Sequence, residues 1–332
     1  MVRSRRWSLP FAAALLVFVA CKDDPTAPEN FTVTLSALNL QRLPAGQGHY
    51  ELWISFPEDR ANRALGKPAH GDEAYISFGK FNLSADNTQL LNLNGQAMTF
   101  APAKDVNINL AVDALVTLEL EADNNDEPGS RLLGGEFTGS DATANAYLST
   151  SGEDVFAYDF RTASATYILT TPTTSDTTDF KHGIWYVTRG NVIASGFAKL
   201  PVLADTSGWR YEGWIIDRTN NAAYSTGKFL SATSADIDGA GTTAGTSGNG
   251  FTFPGQDFIV AQGSIPALLQ LDNGNFEARI TLEPAPDNAS APSYFTLFND
   301  EVIGPNLSRT HAAQAMNNRA SGLPSATVTI KR

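Results

Sequence analysis

Tyr50-Glu51-Leu52-Trp53-Ile54 and, about 161 positions later, Tyr211-Glu212-Gly213-Trp214-Ile215 are the stretches on which the fold turns. Successive side chains of a strand point to opposite faces, so Tyr50, Leu52 and Ile54 share one face while Glu51 and Trp53 share the other. A bulky residue on each face predicts a strand covered on both sides. Trp53 and Trp214 are then core anchors that each remove roughly 150–250 Å² from water. The competing expectation for such a ring is an open platform for a sugar or a peptide.

Three further landmarks recur in the same order. Gly79-Lys80-Phe81, with Tyr75 ahead of it, returns as Gly227-Lys228-Phe229 with Tyr224 ahead. Val116-Thr117-Leu118-Glu119 returns as Ile280-Thr281-Leu282-Glu283, and Ser164-Ala165-Thr166 as Ser325-Ala326-Thr327. The offsets, about 148, 164 and 161 positions, match at start and end and differ between, which predicts a duplicated unit whose loops differ in length. The largest difference is the segment Glu58 to Asp72, and loops absorb such insertions because closure entropy grows only logarithmically. The expected organisation is a signal peptide over 1–20, a lipid anchor and tether over 21–30, a first copy over 31–170, a Thr-rich linker over 171–182 and a second copy over 183–332. Thr170 to Asp179, with Pro172, carries the linker signal, and Gly239 to Gly250 reads as a mobile low-complexity loop.

Short runs of Val, Ile, Thr, Tyr and Phe alternate with Gly, Asn, Asp and Pro clusters, which predicts an all-β protein of two tandem β-sandwich domains. The firmest strands are Phe31–Leu35, Tyr50–Ile54, Ala114–Leu120, Ala165–Leu169, Ile184–Val187, Trp209–Ile216, Phe276–Leu282 and Ala326–Ile330. Thr310 to Asn318 alone has the pattern of a short helix, stopped by Gly322 and Pro324. Gly79 and Gly227 predict a bulge or a close backbone approach, followed by core Phe81 and Phe229. Lys80 and Lys228 are expected in solvent. Glu119 and Glu283 end their strands before the loops Asp123–Pro128 and Pro284–Pro292, where they are expected to cap turn amides.

The N-terminus has the three parts of an export signal: Arg3, Arg5 and Arg6, an apolar run from Leu9 to Ala20, and a small residue before the cut. That run is shorter than the roughly 20 residues needed to span a bilayer. The sole cysteine, Cys21, follows Leu16-Val17-Phe18-Val19-Ala20, the arrangement of a lipobox, and is the expected lipidation site. Buried methylenes at about 0.8 kcal/mol each make such an anchor durable. With Cys21 acylated no disulfide is available, so core burial must hold the exported chain together. Net charge is -12 for the whole chain and about -15 once Arg3, Arg5 and Arg6 are removed. Nucleic acid is therefore not an expected partner.

Signs of catalysis are few. The four histidines, His49, His70, His182 and His311, are scattered without zinc spacing and read as polar surface. Neither a Gly-x-Ser-x-Gly elbow nor a phosphate loop is present. Asp236-Ile237-Asp238-Gly239 begins like a calcium loop, but Ala240 and Ser247 stand where oxygen ligands belong. No catalytic residue, metal or cofactor is expected.

Tyr50, Leu52, Trp53, Gly79, Phe81 and Val116 to Glu119, with Tyr211, Trp214, Gly227, Phe229 and Ile280 to Pro284, together resemble the C-terminal extracytoplasmic domain of RskA-type anti-sigma-K factors. The resemblance covers nearly the whole mature chain and implies a β-sandwich used outside the membrane for sensing or protein contact. In that family a cytoplasmic helical segment holds the sigma factor and a membrane helix joins it to the outer domain. Here an export signal and Cys21 stand in their place. The expected function is a non-catalytic cell-envelope lipoprotein module, held to a bacterial membrane through Cys21, that senses or binds a protein or another envelope component. The alternative is a carbohydrate-binding surface lipoprotein using exposed rings such as Trp185 or Trp209.

Overall fold

The computed structural model describes residues 31–57, 73–121, 127–139, 142–171, 173–174, 178–237, 253–261, 263–286, 289–304 and 311–332. The signal, Cys21, the tether, the whole Glu58–Asp72 insertion with His70, and the Gly239–Gly250 stretch lie outside them. The chain is all-β. Its first part carries β1 (Thr32–Leu38), β2 (His49–Pro57), β3 (Glu73–Leu83), β4 (Leu90–Asn92), β5 (Asp113–Glu119), β6 (Ser130–Gly139), β7 (Thr143–Ser149) and β8 (Ser164–Leu169). The second carries β9 (Gly183–Trp185), β10 (Val187–Arg189), β11 (Ile193–Ser195), β12 (Phe197–Ala198), β13 (Trp209–Asp217), β14 (Ala222–Phe229), β15 (Gly255–Asp257), β16 (Phe276–Pro284), β17 (Thr296–Asp300), β18 (Gln314–Asn318) and β19 (Ser325–Lys331).

Among the described residues these strands form two large curled sheets and a β10–β11 hairpin. The first sheet runs β1-β19-β7-β6-β5-β2-β3-β4 and the second β14-β13-β16-β17-β18-β8-β9-β15, with β12 also on β8. The landmark strands occupy matching places, β2 between β3 and β5, and β13 between β14 and β16. Their irregularities match too. Register shifts fall between Leu52 and Trp53 against Gly79 and Ser77, and between Gly213 and Trp214 against Gly227 and Ser225. Each leaves one extra residue on the glycine-bearing strand, and Gly79 and Gly227 take φ of 131° and 106°, where a Cβ is disfavoured. A second pair of shifts falls between Val116 and Thr117 and between Ile280 and Thr281.

The sheets do not follow the halves of the sequence. β19, the last strand of the second half, lies between β1 and β7 of the first. β8, the last strand of the first half, pairs with β18, β9 and β12 of the second. These are the strands that contain Ser325-Ala326-Thr327 and Ser164-Ala165-Thr166, so each fills the slot its counterpart would have filled. The segments 31–170 and 183–332 each lack a complete sheet of their own. Ala326, Val328 and Ile330 are buried with Val33, Leu35, Ala146 and Leu148, while Ala165, Tyr167 and Leu169 are buried with the second half, in one continuous apolar cluster.

Thr310–Asn318 is not a helix: its described part holds β18, and a 3-10 turn follows at Ala320–Gly322. Weak helical propensity yields here to the open edges of β17 and β8, which β18 completes. The expected Ile184–Val187 strand is split at Tyr186 into β9 and β10. Gly196 N and Tyr186 O are hydrogen-bonded at the break, 2.9 Å apart.

Candidate functional site: twin polar ladders and the cleft between the halves

On β2, Tyr50, Leu52 and Ile54 enter the main apolar cluster, whereas Trp53 is buried on the opposite face, outside that cluster. Trp214 does the same on β13. Each indole is locked by a polar ladder. Trp53 Nε1 donates to Thr117 Oγ1 at 2.9 Å, the Thr117 hydroxyl donates to Glu119 Oε1, and that oxygen also accepts Gly129 N at 2.9 Å. In the second half Trp214 Nε1 donates to Thr281 Oγ1 at 3.0 Å, Thr281 donates to Glu283 Oε1, and Ser293 N donates to the same oxygen at 2.9 Å. Both glutamates therefore hold the amide of a residue beyond their loop, as expected from their position before a turn. Such buried networks specify a fold when every member is satisfied.

A second pair of ladders was not legible in the sequence. Glu51 and Glu212 are buried. Ser77 donates to Glu51 Oε1, and Ser225 donates to Glu212 Oε1 at 2.6 Å. Lys80 Nζ lies 3.8 Å from Glu51 Oε2, and Lys228 Nζ lies 3.7 Å from Glu212 Oε2. The lysines are thus partly buried counter-ions rather than free surface charges, because a buried carboxylate requires a compensating cation. Alternation places Glu51 beside Trp53 on a covered face, but nothing local names Ser77 or Lys80 as its partners.

Trp209 is fully buried, so it is not available as a sugar platform. Its Nε1 donates to Arg131 O at 2.9 Å, and its ring packs edge-on against Phe156 and Phe295 at 5.9 and 5.5 Å, which ties the halves together. Trp185 is half-buried and donates to Phe253 O at 3.2 Å. Tyr50 and Tyr294 join hydroxyls across the halves at 2.6 Å, and Tyr50 also donates to Gln41 O at 2.8 Å. Burial, and then the neighbouring Tyr294, push the Tyr50 hydroxyl well above its ordinary value, so the pair stays neutral.

A cleft of about 620 Å³ opens above that tyrosine pair, walled by the Gln41–Gln47 segment on one side and by Ala289, Ala291 and Pro292 on the other. Pro44, Leu120, Pro284 and Pro286 make its middle apolar. A recess of about 570 Å³ that shares Pro284 and Pro286 continues it to Arg210, Glu212 and Lys228. A recess of about 400 Å³ that shares Arg42, Leu43 and Pro44 continues it the other way to His49 and Lys80. His49 and Arg210 hold the same place in the two copies, as do Lys80 and Lys228. The three recesses share wall residues and together make a trough, with repeat-equivalent Lys80 and Lys228 lining its outer parts.

The described histidines are not plain surface. His49 opens β2 and is buried, His182 Nδ1 lies 2.7 Å from Asp179 Oδ2, and the His311 ring stands edge-on to Phe180 at 4.5 Å. Asp236 spends Oδ2 on Gly255 N at 3.1 Å. Among the described residues no group of three or more His, Cys, Asp and Glu converges to hold a metal.

The Thr-rich linker is docked where described. Thr171 and Thr173 are buried, and Asp257 Oδ2 accepts Thr173 N at 2.9 Å and the Thr173 hydroxyl. Burial lifts the Asp257 carboxyl to about 6, above the usual aspartate range and against the pull of the Thr173 hydrogen bonds. The folded state therefore holds a proton between about pH 4 and pH 6 that the unfolded chain has released, so Asp257 makes stability fall as pH rises through that window and stay level above it. Asp257→Asn is expected to remove this decline. Urea midpoints of both proteins at pH 4, 5, 6 and 7 check it, and parallel pH curves would contradict it.

No family model matches the chain, and no curated protein or solved structure is significantly similar to it. Fold and site together define an all-β module built from a repeated strand motif, with a trough across the junction of its halves.

Proposed function

We propose that this chain is a non-catalytic binding module of the bacterial cell envelope, lipid-anchored through Cys21. In this reading it is akin to the outer domains of RskA-type anti-sigma-K factors and takes an extended segment of a protein partner into its trough. The observation that carries this reading is the trough itself, apolar and proline-lined at its centre and ended on both sides by the equivalent Lys80 and Lys228. An extended polypeptide offers apolar side chains to such a centre and backbone carbonyls to the hydrogen-bond donors at its ends. Two linked copies that present the same chemistry at both ends gain avidity for one long ligand. The carboxylates of the repeat, Glu51, Glu119, Glu212 and Glu283, are all held in structural hydrogen bonds, which fits binding better than acid–base chemistry.

Leu120 and Ala291 are exposed on the walls of the cleft, so charges there disturb the trough rather than the core. Envelope extracts passed over the immobilised mature chain are expected to leave proteins on the wild type that a Leu120→Asp/Ala291→Asp double variant releases. Equal recovery on both surfaces counts against the trough.

A further inference from the structure

The strands β10 and β11 form a hairpin that belongs to neither large sheet. The chain leaves the edge of β8 at Tyr186 and rejoins it at Gly196, where Gly196 N donates to Tyr186 O and Thr166 N donates to Gly196 O, both at 2.9 Å. Burial falls away along this excursion. Val187 is buried and Thr188 half-buried, while every residue from Arg189 to Ala194 is exposed, so the hairpin projects from the body. Its tip is apolar: Val192, 75% exposed, is the most exposed large apolar side chain among the described residues, and Ile193 beside it is exposed as well. Register sets Arg189 opposite Ile193, so that cation and the apolar tip share one face of the hairpin.

No Asp or Glu stands between Asp179 and Asp205, in a chain with 35 acidic and 23 basic residues, whereas Lys181, Arg189 and Lys199 all lie in that stretch and are exposed. Asp179 itself is engaged, its carboxylate lying 2.7 Å from His182 Nδ1 and accepting Lys181 N at 3.0 Å. A second stretch without Asp or Glu, everything after Glu301, reaches the same place through His311, whose ring meets Phe180. Burial, and then the nearby Arg189 guanidinium, hold the His311 imidazole below its ordinary value, which puts the hairpin beside that contact. Exposed aliphatic groups and cations are thus gathered in one place on a chain whose net charge is -12. An aliphatic tip is favourable where water can be left behind, and flanking cations favour an anionic boundary. An anionic bilayer offers both, acyl chains to Val192 and Ile193 and phosphates to Arg189. In the lipid-anchored reading that surface is always near, because the tether over 21–30, at about 3.5 Å per residue, keeps Phe31 within about 35 Å of an acyl group on Cys21.

We propose that the β10–β11 hairpin docks on an anionic lipid surface, with Val192 and Ile193 entering the headgroup boundary and Arg189 pairing with phosphates. The lipid anchor of the proposed function gives this contact its setting, but the contact belongs to the hairpin and is measured without acyl chains. The test sediments the mature chain, carrying Cys21→Ser, with vesicles of phosphatidylcholine alone and of phosphatidylcholine mixed with phosphatidylglycerol. Net charge predicts repulsion from the mixed vesicles, so sedimentation with them reports a local patch. This parent protein is expected to sediment with the mixed vesicles and to do so less at high salt. Val192→Ser/Ile193→Ser is expected to bind roughly tenfold more weakly, and Arg189→Gln roughly fivefold more weakly. All three positions are exposed, so the core is undisturbed. A parent that stays in the supernatant with the mixed vesicles overturns the proposal, as does a Val192→Ser/Ile193→Ser protein that sediments like its parent. Loss of envelope proteins from that immobilised double variant, with no vesicle binding by the parent, would assign the hairpin to a protein partner instead and overturn it too. The Leu120→Asp/Ala291→Asp variant should sediment normally, so failure of the trough and failure of the hairpin are read separately.

Discussion

A chain cut between Thr174 and Thr178 by an engineered protease site is expected to remain one particle. The first piece then ends in β8, built into the second sheet, and the second piece contributes β19 to the first. Separation would strip both strands of hydrogen bonds along two edges and expose Ala165, Tyr167, Leu169, Ala326, Val328 and Ile330 to water. At about 25 cal/mol per Å² of apolar surface, with two sheets left open, that cost approaches the cost of unfolding. The side chains of the exchange add to it. Tyr167 OH donates to Asp300 Oδ2 at 2.7 Å, and Asn318 Nδ2 donates to the Phe160 and Ala163 carbonyls at 2.9 and 2.8 Å. Size-exclusion chromatography of the nicked protein should show a single peak that splits only at urea concentrations that also unfold the chain. Two pieces that part on dilution would mean that the strands are not exchanged. Hydrogen exchange offers a second measure: a chain ending at Leu323 should lose amide protection in β1 and β7, both far from the deletion in sequence.

Trp53→Ala and Trp214→Ala are each expected to cost about 3–5 kcal/mol, the range for deleting a large buried ring. Each leaves an indole-sized void and strips Thr117 or Thr281 of its donor. An acceptor left unpaired in a buried site adds about 1–3 kcal/mol where water cannot enter. Because one apolar cluster spans both halves, both substitutions should shift a single cooperative urea transition rather than melt half of the molecule. The two losses should be similar, since the rings occupy equivalent places beside equivalent bulges. A variant destabilised by less than about 1 kcal/mol would show that its ring is not an anchor. Trp→Phe should cost less, because it keeps most of the ring and loses only the Nε1 hydrogen bond.

Much of the local structure is written in short-range patterns. Alternation located β1, β2, β5, β8, β13, β16 and β19, and the glycines of the repeat marked the bulges, because a positive φ excludes most other residues. The position of Glu119 and Glu283 before a turn disclosed their capping role. Where a segment's surroundings decide, the pattern misleads. Thr310–Asn318 has too little apolar periodicity to overrule the waiting edges of β17 and β8. Lys80 and Lys228 look like surface residues until Glu51 and Glu212 are found buried beside them, and Trp209 looks available until Phe156 and Phe295 close over it.

The amino-acid order alone determined that the chain is all-β, that it is doubled, and which residues anchor each copy, since strand alternation and repeat spacing are properties of neighbours along the chain. Only the tertiary structure decided that the last strands trade places. Ser164-Ala165-Thr166 and Ser325-Ala326-Thr327 are the same three residues with the same alternation, so either strand satisfies either sheet edge. The choice rests on contacts remote in sequence, such as Tyr167 with Asp300 and Asn318 with the Phe160 and Ala163 carbonyls.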